Sequence, residues 1–163
     1  MARRKALVIY GSNSGNTKMV AEWIGEALQK RYETTVADVT HLDPHAIDAP
    51  DILIFGANTW LTDIGVGLTE GQLPSQWFRF AELLRAGADL QGKPVAVFSL
   101  GRHEYSNFCA SADHLIALLR DINGTLLGKP LRVDGFPEHQ KKVVTDWVAG
   151  TFSEKRAASS VRK

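Results

Sequence analysis

The chain is predicted to fold as one α/β domain, a doubly wound sheet of five parallel strands with helices on both faces. Short β-rich apolar runs alternate with amphipathic helical stretches from end to end, the pattern of a sheet built through crossover helices. The strand runs are apolar throughout rather than every second residue, as strands covered on both faces require. A length of 163 residues suits a single hydrophobic core.

Lys5 to Tyr10 is the first buried strand and stops at Gly11. Thr17 to Arg31 follows as a helix, with Met19/Val20, Trp23/Ile24 and Ala27/Leu28 stacked on one face. Thr34 to Val39 is a weaker strand, and Asp51 to Ala57 a strongly apolar one. Gln76 to Arg85 is helical through Phe78, Phe80, Leu83 and Leu84, and Pro94 to Ser99 is the next buried strand. Phe108 to Ile122 forms a helix that Asn123-Gly124 stops. Thr125 to Val133 holds the last strand, broken by Gly128 and Pro130, and His139 to Phe152 is the final helix. Residues 1–152 thus make one domain, and the polar, basic stretch Ser153 to Lys163 is expected to be disordered.

Composition narrows the function. With 19 basic and 18 acidic residues the formal net charge is +1, which provides no electrostatic case for nucleic acid or an anionic membrane. The single cysteine, Cys109, rules out an intramolecular disulfide, CxxC redox chemistry and cysteine zinc clusters. The basic start at Arg3-Arg4-Lys5 is followed by too short an apolar run for a signal peptide, and no window approaches the roughly 18 apolar residues of a membrane span. A cytoplasmic monomer is expected. His41, His45, His114 and His139 show no metal-ligand spacing. Trp23, Trp147 and Phe98 read as packing residues, as does Cys109.

Ligands of such sheets bind beyond the carboxyl ends of the strands. Three segments leave those ends. Gly11 to Thr17 is built only of glycine and small hydroxyl or amide residues, so its backbone N–H groups can converge on an anion at the positive end of the next helix. It lacks the Gly-Lys-[Ser/Thr] of a nucleoside-triphosphate loop and the GxGxxG of a dinucleotide loop. An ordinary polar turn is the alternative. The two other segments, Asn58 to Ser75 and Leu100 to Asn107, each place an aromatic residue, Trp60 and Tyr105, over the sheet edge. Two such rings can sandwich a planar heterocycle, with stacking worth about 0.5–1.5 kcal/mol per contact.

These motifs resemble the flavodoxins, close to the short-chain type. Ser12-Asn-Ser-Gly-Asn-Thr17 is similar to the family's FMN phosphate loop. Thr59-Trp60, followed by Gly71, Leu73, Ser75 and Trp77, is similar to the first flavin loop, and Gly101, Tyr105, Phe108 and Cys109 to the second. The likeness runs from about Lys5 to Phe152, without a long insertion in the last strand. It implies strand order 2-1-3-4-5 and non-covalent FMN. Ser12, Asn13, Ser14, Gly15, Asn16 and Thr17 would bind the phosphate, Trp60 the inner and Tyr105 the outer flavin face. Asn58, Thr59, Leu61, Leu100, Gly101, Arg102, Asn107 and Phe108 complete the implied cofactor set. The implied function is low-potential one-electron transfer from a flavin-containing NAD(P)H reductase to a redox enzyme such as a cytochrome P450. No catalytic acid, base or nucleophile is needed, because the flavin carries the chemistry.

The chain departs from that pattern in three places. Relatives are usually acidic, whereas here Arg102 stands where an aspartate is common, near the pyrimidine end of the flavin. A cation there is expected to make the second one-electron reduction less negative. Leu61 replaces a common Gly or Asn, which raises the cost of a peptide flip to positive φ by about 1 kcal/mol. The stretch Leu61 to Glu70 is several residues longer than its counterpart. An FMN-dependent NAD(P)H quinone or nitro reductase on the same fold is the alternative, but the chain has no second motif for a nicotinamide. A response-regulator receiver is disfavoured, since Tyr10-Gly11 and Ala57-Asn58 stand where its acidic residues belong.

Overall fold

A computed structural model describes residues 3–11, 15–58, 73–101 and 109–153 of the chain. The expected disorder of the C-terminal tail lies outside those residues, apart from Ser153. Among the described residues six parallel strands are formed: β1 (Lys5–Gly11), β2 (Glu33–Asp38), β3 (Ile52–Asn58), β4 (Pro94–Gly101), β5 (Thr125–Leu126) and β6 (Leu131–Asp134). Between them run helices α1 (Gly15–Leu28), α2 (Gln76–Gly87), α3 (Ser111–Asp121) and α4 (Lys141–Thr151). The order is β2-β1-β3-β4-β5, with β6 also on β4, as the sequence led one to expect. The fifth position is shared: β5 pairs with Pro94 and Val95, and β6 with Phe98 to Gly101. Gly128, at φ +69°, and Pro130, which lacks an N–H, interrupt the ladder where the sequence places the break.

Alternation along each strand builds two cores. In β1, Ala6, Val8 and Tyr10 face α1 and α4, packing with Val20, Ile24, Val144 and Val148. Leu7 and Ile9 face the other way, toward Trp77, Phe80 and Leu84 of α2 and Leu115 and Leu118 of α3. The central strands are therefore apolar on both pleats. Among the described residues no helix is long and apolar enough to cross a membrane.

Element ends differ from the periodicity by a few residues, for local reasons. α1 starts at Gly15 and stops at Leu28, where Tyr32 turns into the core with its N–H on the Leu28 carbonyl at 2.9 Å. α3 begins three residues late because Cys109 adopts φ +51°, outside helical space. It ends as expected, with Asn123 at φ +62° and the Gly124 N–H on the Leu119 carbonyl at 2.7 Å. Two 3₁₀ turns that periodicity does not reveal, Val39–His41 and Pro44–Ile47, are capped by the side chains of Asp38 and Asp43.

Gly56 lies beside Phe98 across the β3/β4 ladder, and a Cβ there would overlap the Phe98 ring. Phe98 is fully buried, so the ring can yield only by displacing its core neighbours. Gly56→Ala is expected to destabilise the protein by about 1–3 kcal/mol through overpacking, measured by urea denaturation. An unchanged midpoint would show that the ring has room to move.

Candidate functional site

β1, β3 and β4 end side by side, with Gly11 beside Ala57, Asn58 beside Leu100 and Gly101 beside Asp134. The three segments singled out by sequence therefore leave one edge of the sheet. Of the implied cofactor-binding residues, Ser12, Asn13, Ser14, Thr59, Trp60, Leu61, Arg102, Tyr105, Asn107 and Phe108 lie outside the described residues. Gly15, Asn16, Thr17, Asn58, Leu100 and Gly101 are described.

Gly15, Asn16 and Thr17 form the first turn of α1, which carries no acidic residue. Its N–H groups and the helix dipole thus face the edge with no carboxylate in their own turn to compete for them. The Thr17 side chain is fully buried, and its hydroxyl has no hydrogen-bond partner; the Asn58 Oδ1, at the end of β3, is buried and equally unpartnered. Buried polar atoms are nearly always paired, and leaving one unpaired costs about 1–3 kcal/mol. Two such atoms at this one edge mark it as built for a polar ligand. Leu100 is different: its side chain packs in the α1/α4 core, so it belongs to packing.

The floor of the edge is closely packed. Trp77, drawn toward the first aromatic loop by its spacing, is instead a fully buried residue of α2. Its indole N–H donates to the Gly56 carbonyl at 2.9 Å, and its ring lies 5.4 Å from Phe55 and 5.9 Å from Phe80. It also presses on Gly11, where a Cβ would lie 2.6 Å from Trp77 Cδ1. Only glycine at the last position of β1 admits the indole there. Tyr10, just before it, has its phenol pKa raised by burial and then by Asp38 and Glu22, so the ring stays neutral.

The far side of the edge is tied by buried polar contacts. Ser99 of β4 and Ser111 at the start of α3 share a short hydroxyl contact, and Ser111 Oγ lies 3.4 Å from the Ala57 carbonyl. Cys109 is packed, as its apolar context suggested. Burial pushes its thiol pKa up to about 11, against the opposing effects of Ser99 and Arg132. Arg132 donates to the Cys109 carbonyl at 2.8 Å and to Asp113 Oδ1 at 2.9 Å. Sequence reasoning passed over Arg132, Asp113, Ser99 and Ser111. A serine closing the apolar run of β4 was the available signal, because a buried hydroxyl needs a partner. Trp23 and Trp147 pack against the α1/α4 core while partly exposed, and the Trp147 N–H reaches the Lys129 carbonyl at 2.8 Å. Among the described residues no group of three metal-ligating side chains converges.

The flavodoxin family model matches residues 8–147. A flavodoxin of Maridesulfovibrio salexigens is 32% identical over 148 residues, covering 90% of this chain and 95% of the relative. An NADPH-dependent diflavin oxidoreductase of Emericella nidulans is 28% identical over 110 residues, covering 64% of this chain and 16% of that protein. The crystal structure of oxidised flavodoxin 2 from Bacillus cereus superposes with a TM-score of 0.81 at 28% identity, covering 93% of this chain and 99% of that one. Fold, edge and relatives agree: the chain belongs to the flavodoxin family of FMN-binding electron-transfer proteins, and is of its short-chain type.

Proposed function

We propose that this protein is a low-potential one-electron carrier that holds FMN through its phosphate loop and its two aromatic loops. The observation that carries the reading is the pair of buried, unpartnered atoms at the sheet edge, Thr17 Oγ1 and Asn58 Oδ1. The donor set fits the group. A hydroxyl and free N–H groups in the first turn of α1 suit a phosphate dianion. An amide oxygen at the end of β3 suits a hydroxyl or ring N–H of the rest of the cofactor. Gly15, Asn16 and Thr17 would then hold the phosphate with Ser12, Asn13 and Ser14. Asn58, Thr59, Trp60 and Leu61 would meet the flavin from one side, and Gly101, Arg102, Tyr105, Asn107 and Phe108 from the other.

Bound FMN supplies reversible electron acceptance; the chain's own residues bind it, keep water from one face and set its potential. The likeness to an NADPH-dependent diflavin oxidoreductase supports a flavin-containing NAD(P)H reductase as donor. A redox enzyme such as a cytochrome P450 is the kind of acceptor such a carrier serves.

Arg102 sets the potential apart from acidic relatives. A cation near the ring favours added negative charge, each 1.4 kcal/mol being worth about 60 mV for one electron. Screening by solvent and salt would hold the effect to the order of tens of millivolts. In a potentiometric titration, Arg102→Asp is expected to make the second reduction step more negative by that amount. An unchanged potential would remove Arg102 from the account, and a protein reduced only in a single two-electron step would contradict the one-electron carrier.

A further inference from the structure

We propose that Arg132, on β6, is a positioning residue for the flavin ring: it fixes the gap between the end of β4 and the start of α3, the two flanks of residues 102–108. This rests on reading that segment as the second flavin loop. Both flanks are held on the same short strand. At the β4 flank, Gly101 pairs with Asp134, and its carbonyl accepts the Gly135 N–H at 2.7 Å. At the α3 flank, one guanidinium nitrogen of Arg132 donates to the Cys109 carbonyl at 2.8 Å. The other donates to Asp113 Oδ1 at 2.9 Å, inside the first turn of α3.

The flanks also touch. A Cβ on Gly101 would lie 2.9 Å from the Cys109 N and 3.1 Å from its Sγ. The Cys109 thiol is buried between the carbonyls of Ser99 and Val133, at 3.7 and 3.6 Å. Cys109 itself sits at φ +51°, a conformation that costs a non-glycine residue about 1 kcal/mol and persists where its surroundings offset that cost. Arg132 and the Val133 carbonyl both hold it from outside the local chain, Arg132 at the Cys109 carbonyl and Val133 at its thiol. A planar two-pronged donor is needed, because the carbonyl and the carboxylate are engaged at once. Gly135 lies at φ +75°, which turns the chain after β6 so that its N–H meets Gly101. Among the described residues, the two flanks are therefore held together by contacts that β6 supplies.

Flanks held in this way should act on the flavin ring and leave the phosphate end untouched. The test compares the wild type with Arg132→Gln and Arg132→Lys, using riboflavin, which lacks the phosphate, alongside FMN. Dissociation constants, the visible circular dichroism of the bound flavin and its midpoint potential are measured, with apoprotein melting as control. Arg132→Gln is expected to weaken riboflavin and FMN by the same factor, roughly 10-fold, since bonds from a charged donor are lost. The flavin dichroism and potential should shift with it. Arg132→Lys, which keeps the cation and one bond, should recover part of the loss. Asp113→Asn, at an exposed side chain, is expected to act in the same direction with a smaller effect, and serves if Arg132→Gln fails to fold.

Wild-type riboflavin affinity, dichroism and potential in Arg132→Gln would overturn the proposal while leaving FMN binding intact. Weakening of FMN alone would overturn it too, by making Arg132 a phosphate cation. A wild-type protein that binds neither flavin would overturn the flavin-loop reading itself, and the proposal with it.

Discussion

Trp77→Ala is expected to be the most damaging single substitution in the described structure, costing about 3–5 kcal/mol. The indole is fully buried against Phe55 and Phe80, so its removal leaves a large cavity in the α2/α3 core. Its loss also removes the hydrogen bond from the indole N–H to the Gly56 carbonyl in the middle of the sheet. Set against a total stability of about 5–15 kcal/mol, this should lower the melting temperature by roughly 10 °C or more. Trp77→Phe keeps most of the packing but not the donor, and should cost about 1–2 kcal/mol. The two variants separate packing from hydrogen bonding. A loss below about 1 kcal/mol for alanine would mean that Trp77 is not the keystone of the β1/β3 edge.

Thr17→Val is expected to move stability and cofactor binding in opposite directions. Valine keeps the shape and branching of threonine but removes a buried hydroxyl that has no partner in the protein alone. Without flavin, the apoprotein should gain up to about 1 kcal/mol, since the desolvation cost of the hydroxyl disappears. With FMN, the same change removes a bond to the phosphate, worth about 1.5–3 kcal/mol, and should weaken binding by roughly 10- to 150-fold. Riboflavin affinity should stay the same. Calorimetric titration and urea melts of the apoprotein read both effects. An apoprotein destabilised by the change, with FMN affinity intact, would show that the hydroxyl serves the fold.

Much of this was legible in the residues, and the reasons are physical. The central strands carry apolar side chains on both pleats, which only a sheet covered on two faces can bury, so Val8, Ile54 and Val97 announced the layers. Gly128 and Pro130 announced the interruption between β5 and β6. The 3₁₀ turns after β2 escaped periodicity because Asp38 and Asp43 build them by capping, a side-chain contact without a period. Cys109 delayed the start of α3 because its conformation is set by β6, which comes twenty and more residues later in the chain.

The site divides in the same way. Loop chemistry and family likeness both point to the ends of β1 and β3, where Thr17 and Asn58 carry buried atoms without a partner. Trp77 sat at the right spacing for the first flavin loop, but it is buried beneath the edge. Spacing along a chain does not tell on which side of a sheet a ring falls. Arg132 and Asp113 were invisible because 19 residues separate them, and only the placement of β6 beside β4 brings them together.

The measurement to make is the visible spectrum of the purified protein during FMN addition and then stepwise reduction. Quenched flavin fluorescence, a flavin that resists dialysis, and a new long-wavelength band at half-reduction are the expected result, and together they establish the site and one-electron chemistry. FMN that stays fluorescent and dialyses freely would contradict the flavin site built on Thr17 and Asn58, and the carrier function with it.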